Sequence, residues 1–145
     1  MMDDLYQETI LDHSKRPRNH HSMQDANRKA EGYNPLCGDK LRLYLKIEND
    51  IVQDASFEGS GCAISTASAS LMTESLKGKT RAEASKLIDK FHELLTTDTP
   101  VTKDLGKLVV FCGVRDYPAR VKCATLAWHT MKSALNGTGE QVTTE

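Results

Sequence analysis

A β-hairpin is the strongest constraint that this 145-residue sequence places on its fold. From residue 40 to residue 48, leucine and isoleucine alternate with charged or aromatic side chains, which is typical of a strand with one buried and one solvated face. Asn49 and Asp50 then supply a turn, and residues 51–58 alternate again. The two strands therefore pair antiparallel, and the numbers of opposite residues should sum to about 99.

Two cysteines and an aspartate should meet at the open end of this hairpin. Cys37 and Asp39 precede the first strand and share its buried face, because strand side chains repeat every two residues. Cys62 is the residue that the predicted register places opposite Cys37. Cys62 also follows Gly-Ser-Gly and begins a helical pattern, so the unpaired N–H groups of a helix N-terminus should favour its thiolate form.

A third sulfur can join this group. Cys123 lies in the first turns of the last predicted helix, which could bring it over the same end of the sheet. Three thiolates and one carboxylate suit tetrahedral zinc, and soft thiolates also suit an iron-sulfur cluster. Taken singly, each cysteine could be a small buried residue, and Asp39 could bond turn amides. The convergence of Cys37, Asp39 and Cys62 favours a metal site.

Two further residues have open interpretations. Cys112 lies inside the apolar run VVFCGV, where a buried filler is the plain interpretation and a spare thiol is the alternative. Arg120 lies close to Cys123 and is most simply a surface charge. It could also screen the thiolates, or hold Asp39 when the metal site opens. The five histidines show no paired ligand spacing on one helix face, so solvated or capping roles are expected for them.

Periodic apolar residues predict helices over much of the remaining chain. Gly78 ends one of them, Thr80 and Glu83 form a capping box at the start of the next, and Pro118 begins the last. A short polar segment near residue 30 is expected to be an edge strand. The predicted helices cover residues 3–14, about 62–77, about 81–95, 105–114 (where a short strand is the alternative) and 118–136.

Composition limits the partners and the domain organisation. Nineteen basic and twenty acidic residues leave a net charge of -1, which gives no field that would draw the chain to nucleic acid or to a membrane surface. The first ten residues are acidic and polar, unlike a secretory signal, and no apolar run approaches the length of a membrane span. We expect a cytoplasmic protein with reduced cysteines, one domain over residues 1–136 and a disordered tail over 137–145.

Three blocks of the sequence resemble a known family. NPLCGDKLRL, FEGSGCAISTASASLM and PARVKCATLAWHTMKSAL are similar, in this order, to the U-type scaffold proteins of iron-sulfur cluster assembly (the IscU, SufU and NifU N-terminal-like family), and specifically to their SufU branch. The similarity runs from LYQETILDHSKRPRN to the last helix. It implies an α+β fold of the SufE/IscU-like kind, in which a small antiparallel three-stranded sheet packs against about five to six helices.

The resemblance also implies roles for individual residues. The metal ligands would be Cys37, Asp39, Cys62 and Cys123, and Cys37 would be the catalytic residue that accepts sulfur. Lys122 stands where the IscU branch has a histidine, and DYPARVK does not match that branch's chaperone-recognition segment. The stretch between the second and third ligand cysteines is also longer than in the IscU branch. These departures place the chain with the SufU-like proteins.

Three functions remain open from the sequence. The first is a zinc-dependent sulfurtransferase that accepts persulfide sulfur from a SufS-type cysteine desulfurase. The alternative is a non-enzymatic scaffold on which a transient iron-sulfur cluster is assembled and then transferred to apo-proteins, with downstream cluster-assembly proteins as partners. The third is a docking protein whose zinc is only structural. Neither nucleic acid nor a membrane is expected as a partner.

Overall fold

The structure is a computed structural model that describes most of the chain. Cys37 and Cys112 lie outside the described residues, as does most of the predicted 105–114 helix; within that segment Leu108, Phe111 and Val114 are described and buried. Side chains are described except at residues 2–7, 118 and 142–143. The described residues are 2–35, 38–96, 108, 111, 114, 117–136 and 142–143.

The described chain forms helices on one face of a mixed sheet. The helices are α1 (Met2–Lys15), α2 (Ala63–Leu76), α3 (Arg81–Thr96) and α4 (Pro118–Asn136). The strands are β1 (Arg28–Asn34), β2 (Asp39–Glu48), β3 (Ile51–Ser60) and β4 (Val142–Thr143), in the order β3-β2-β1-β4. The first three strands are antiparallel, and β4 pairs parallel to β1.

The α+β class and the three antiparallel strands are confirmed, but the expected helix count is not. The described residues form four α-helices, whereas the family resemblance implied five to six. These four correspond to four of the five helices predicted from the sequence, and the fifth, over residues 105–114, lies mostly outside the described residues. The sheet also gains β4, a two-residue strand within the predicted tail; the rest of that tail lies outside the described residues.

The hairpin of β2 and β3 forms as predicted, with one difference in register. Asn49 and Asp50 both adopt left-handed backbone conformations, with φ of 54° and 64°, as a two-residue hairpin turn requires. Beside the turn, Ile47 lies opposite Val52 as predicted. Gln53 is then an extra, unpaired residue, a β-bulge, so Lys40 lies opposite Ser60 and the predicted pairing is wrong by one residue at the open end.

One face of the sheet and the helices share a hydrophobic core. Leu41, Leu43 and Leu45 of β2 are buried, which confirms the predicted inner face. Helix α4 packs on β1 and β2, and α2 packs on β3, α1 and α4. In the helical layer, the Trp128 ring of α4 stacks on the Phe91 ring of α3 with centroids 4.2 Å apart. Among the described helices, none is long and apolar enough to cross a membrane.

Candidate metal centre

Cys62 is positioned by the junction between β3 and α2. Its backbone is extended, with φ of -70° and ψ of 168°, and it is the N-cap residue of α2. Its Sγ accepts the backbone N–H of Ser65 over 3.4 Å. The predicted place of this cysteine at a helix N-terminus is therefore confirmed.

Asp39 is the first residue of β2, and its side chain is fully buried. Its Oδ1 accepts the backbone N–H of Cys62 over 2.8 Å, which fixes the carboxylate to the start of α2. Gly61 permits this approach, because a Cβ at that position would lie 2.5 Å from Asp39 Oδ1. A buried carboxylate is costly unless hydrogen bonds, an opposite charge or a metal compensate it. The Cys62 N–H supplies such a hydrogen bond, which matches the alternative that Asp39 bonds turn amides, so a ligand role for Asp39 rests on its closeness to the two sulfurs.

Cys123 completes a group of three donor atoms. It lies in the second turn of α4 and is 3% exposed. The ligand atoms of Asp39, Cys62 and Cys123 all lie within 4.8 Å of one another, and no other such group occurs in the part of the chain that the structure describes. The fourth predicted ligand, Cys37, lies outside that part, so its membership of the site stays a prediction.

Asn34 belongs to the same centre, although the sequence analysis did not single it out. It is the last residue of β1, is fully buried and lies directly opposite Asp39 in the sheet. Its Nδ2 lies 3.4 Å from Asp39 Oδ2 and 3.6 Å from Cys123 Sγ. Only residues 35–38 separate β1 from β2, so antiparallel pairing of these strands places Asn34 opposite Asp39. The short polar pattern of β1 did not fix where this strand ends or which strand it pairs with, and Asn34 was therefore missed.

Arg120 does not approach the carboxylate in this structure. It is exposed in the first turn of α4, and its guanidinium stacks over the Tyr117 ring, 4.6 Å from the ring centroid. No ion pair joins Arg120 to Asp39 among the described residues. The predicted role of Arg120 as a group that holds Asp39 when the site opens stays a prediction.

The donor set fits a zinc ion. Zinc takes sulfur ligands at about 2.3 Å and carboxylate oxygens at about 2.0–2.2 Å, so the ligand atoms of one ion lie less than about 4.6 Å apart. Asp39, Cys62 and Cys123 need only small side-chain movements to meet that limit. Two thiolates with one carboxylate also leave a tetrahedral ion one position for a further ligand.

The fold and this centre define a small α+β protein with a possible metal site of one aspartate and two cysteines at the end of an antiparallel sheet. The chain matches the model of the NifU-like N terminal domain over residues 5–135. It belongs to that family, whose members include the U-type iron-sulfur cluster assembly proteins, and this confirms the resemblance seen in the sequence.

Individual relatives cover nearly the whole chain. The iron-sulfur cluster assembly scaffold protein IscU of Streptococcus pyogenes serotype M1 is 42% identical over 92% of this chain and 84% of its own. The zinc-dependent sulfurtransferase SufU of Bacillus subtilis strain 168 is 42% identical over 92% of this chain and 91% of its own. A crystal structure of a candidate SUF-system scaffold protein (FiSufU) from Fervidobacterium islandicum AW-1 superposes with a TM-score of 0.85, at 38% identity, covering 91% of this chain and 97% of that one.

Proposed function

We propose that this protein is a zinc-dependent sulfurtransferase of iron-sulfur cluster assembly, and that it accepts persulfide sulfur from a SufS-type cysteine desulfurase. The observation that carries the proposal is the convergence of Asp39, Cys62 and Cys123 within 4.8 Å, a donor set suited to zinc. The similarity to the Bacillus subtilis sulfurtransferase supports the same conclusion. Lys122, in place of the histidine of the IscU branch, also favours a SufU-like role.

The transfer step requires one nucleophilic thiolate on this chain, and the family motif assigns it to Cys37. The thiolate attacks the outer sulfur of the donor's persulfide, a new S–S bond forms on Cys37, and the S–S bond of the donor breaks. The donor cysteine leaves as a thiolate, so the sulfane sulfur is exchanged without net oxidation or reduction. Bound zinc would supply Lewis acidity that keeps its cysteine ligands deprotonated at neutral pH.

The described residues suit a site that one ligand can leave. Asp39 is held by the Cys62 N–H, and Cys62 is held in place as the N-cap of α2. Cys123 is fixed on α4, a different element. These three donors depend on a strand and two helices that pack together, so they can stay in place while Cys37 reacts.

Persulfide mapping tests this proposal. After reaction with a SufS-type desulfurase and cysteine, we expect the persulfide on Cys37, and Cys37→Ala should abolish sulfur acceptance while the protein still folds. Cys112→Ala is the matched control, because it removes a cysteine outside the proposed ligand set. Sulfur transfer to Cys37→Ala at the wild-type rate would overturn the assignment.

A second function has support of its own. The similarity to the Streptococcus pyogenes IscU protein favours a scaffold on which an iron-sulfur cluster is assembled and passed on. Asp39, as an oxygen ligand among thiolates, would make such a cluster labile. Anaerobic reconstitution followed by transfer to an apo-protein would support the scaffold, whereas stoichiometric zinc with stimulation of the desulfurase supports the sulfurtransferase. Zinc without either behaviour would indicate a structural metal.

A further inference from the structure

We propose that Asn34 is a positioning residue for the metal centre, and that its single side-chain amide holds the Asp39 carboxylate and the Cys123 sulfur in their binding arrangement. This inference deepens the proposed function, because it rests on the same metal site. Asn34 is outside the proposed ligand set and would act through two members of that set, Asp39 and Cys123.

The geometry places one donor nitrogen between two acceptors on different elements. Asn34 Nδ2 lies 3.4 Å from Oδ2 of Asp39 on β2 and 3.6 Å from Sγ of Cys123 on α4. Asn34 itself is on β1, directly opposite Asp39 in the sheet. Asn34 and Asp39 are fully buried and Cys123 is 3% exposed, so water does not replace these contacts.

The two oxygens of Asp39 are held from two sides. The backbone N–H of Cys62 donates to Oδ1 at 2.8 Å, while the Asn34 amide donates to Oδ2. These bonds restrict rotation of the carboxylate, and each oxygen retains a lone pair for a metal ion. Loss of an outer group that orients a metal ligand typically lowers metal affinity by about 10- to 100-fold.

The chemistry of an amide suits this position. A carboxylate and a thiolate confined in a buried space repel each other, and an amide NH₂ offers one N–H to each of them. Because the amide is neutral, it offsets this repulsion without placing a competing cation next to the bound metal. A leucine of similar size would leave both anions without these donors, and a serine could serve only one of them at a time.

Cobalt binding provides the test, because Co²⁺ takes the same tetrahedral ligands as Zn²⁺ and its thiolate charge-transfer band reports on the metal–sulfur bonds. Co²⁺ affinity would be measured by chelator competition for the wild type, Asn34→Leu and Asn34→Ser, together with each absorption spectrum. Thr130→Val is the matched control, because Thr130 is buried in α4 and the one hydrogen bond of its side chain among the described residues is to the Leu126 carbonyl of the same helix.

We expect Asn34→Leu to weaken Co²⁺ binding about 10- to 100-fold and to shift the charge-transfer band, and Asn34→Ser to lie between Asn34→Leu and the wild type. Thr130→Val should keep wild-type affinity and spectrum even if its unfolding midpoint falls. Wild-type affinity and spectrum in Asn34→Leu would overturn the role of Asn34 alone. A wild-type protein without a thiolate–cobalt band would overturn the proposed metal site and this inference together. The cobalt titration contains no desulfurase. Its result therefore tests the role of Asn34 even if the protein proves unable to accept sulfur.

Discussion

Gly61 is the residue on which the close approach of Asp39 to Cys62 depends. Its φ is not in the left-handed region, so the backbone itself would accept other residues. The constraint is steric, because an added Cβ would lie 2.5 Å from Asp39 Oδ1. Either the Asp39 carboxylate or the backbone at residue 61 must move to relieve that contact, and both movements disturb the bond between the carboxylate and the Cys62 N–H.

Gly61→Ala should therefore lower the metal affinity of the site more than it lowers the stability of the fold. We expect weaker zinc binding, by about tenfold or more, because the carboxylate loses its position relative to the two sulfurs. Chelator competition measures this affinity. Ser60→Ala is the control, because Ser60 is exposed in the adjacent position. Equal zinc affinities for Gly61→Ala and the wild type would show that the carboxylate does not need this approach.

Single residues of the site differ in how far the sequence predicts them. The strand period places Asp39 on the buried face, and the change to a helical period places Cys62 at a helix start; both predictions are confirmed. Asn34 was missed because the short polar pattern of β1 fixes neither the end of that strand nor its partner, although only four residues separate β1 from β2. His13, expected to be solvated or capping, is instead 2% exposed and bonds Ser70 of α2 over 2.7 Å.

At the scale of elements, α2 is joined to α4 by a buried hydroxyl. Ser68 Oγ donates to the Ala124 carbonyl over 2.5 Å and accepts the Trp128 Nε1–H over 3.0 Å. Since Cys62 begins α2 and Cys123 lies on α4, this pair of bonds fixes the distance between the two helices that carry the sulfurs. Apolar periodicity predicted both helices, but it does not show polar bonds between them.

Ser68→Ala should lower the free energy of unfolding by about 1–3 kcal/mol, because the buried Trp128 N–H and Ala124 carbonyl lose their shared partner. Urea unfolding of the metal-free protein measures the change. Ser75→Ala, in the same helix, is the control, since the part of the chain that the structure describes gives the Ser75 hydroxyl one bond, to the Leu71 carbonyl of its own helix. If both variants lose the same free energy of unfolding, the bond between the helices contributes no more to stability than a hydroxyl bond within one helix.

The contact between α3 and α4 should make stability depend on pH. Burial lowers the pKa of His129 from its ordinary 6.5, and the neighbouring His92 and Lys132 add repulsion; Asp89 of α3 bonds Lys132. The folded state therefore binds this proton less readily than the unfolded state. The contribution of neutral His129 to the free energy of unfolding is therefore fully present above pH 6.5. It is lost as the pH falls from 6.5 through the lowered pKa of His129 in the folded state.

His129→Gln should reduce the loss of stability that sets in as the pH falls below 6.5. Denaturant midpoints of the metal-free protein at several pH values measure this loss, and His21→Gln, which changes an exposed histidine, is the control. A pH profile of His129→Gln that superposes on the wild-type profile would contradict the prediction.

At the scale of the whole molecule, the candidate metal centre connects elements that are far apart in sequence. Asp39 is on β2, Cys62 caps α2 and Cys123 is on α4. An ion bound by all three binds the folded state in preference to the unfolded chain, so its binding free energy adds to the free energy of unfolding.

Removal of zinc should therefore lower the unfolding temperature of the whole domain in one transition. At free zinc 100 times the dissociation constant, the bound ion contributes about 2.7 kcal/mol. Thermal unfolding with and without a chelator measures the difference, and it should shrink strongly in Asp39→Ala but persist in Cys112→Ala. A chelator effect of the same size in Asp39→Ala would exclude this carboxylate from the metal site.

The bulge at Gln53 has a consequence for how members of this family can differ in length. Because Gln53 has no partner across the hairpin, a chain that lacks it could still pair Ile47 with Val52 and Lys46 with the residue that follows. Loss of a residue further along β3 would instead shift the register from that point onward. Each side chain between the deletion and Cys62 would then point to the opposite face of the sheet. Natural deletions in this hairpin should therefore concentrate at the bulge, and the distance in sequence from the turn to the second cysteine should vary there by one residue.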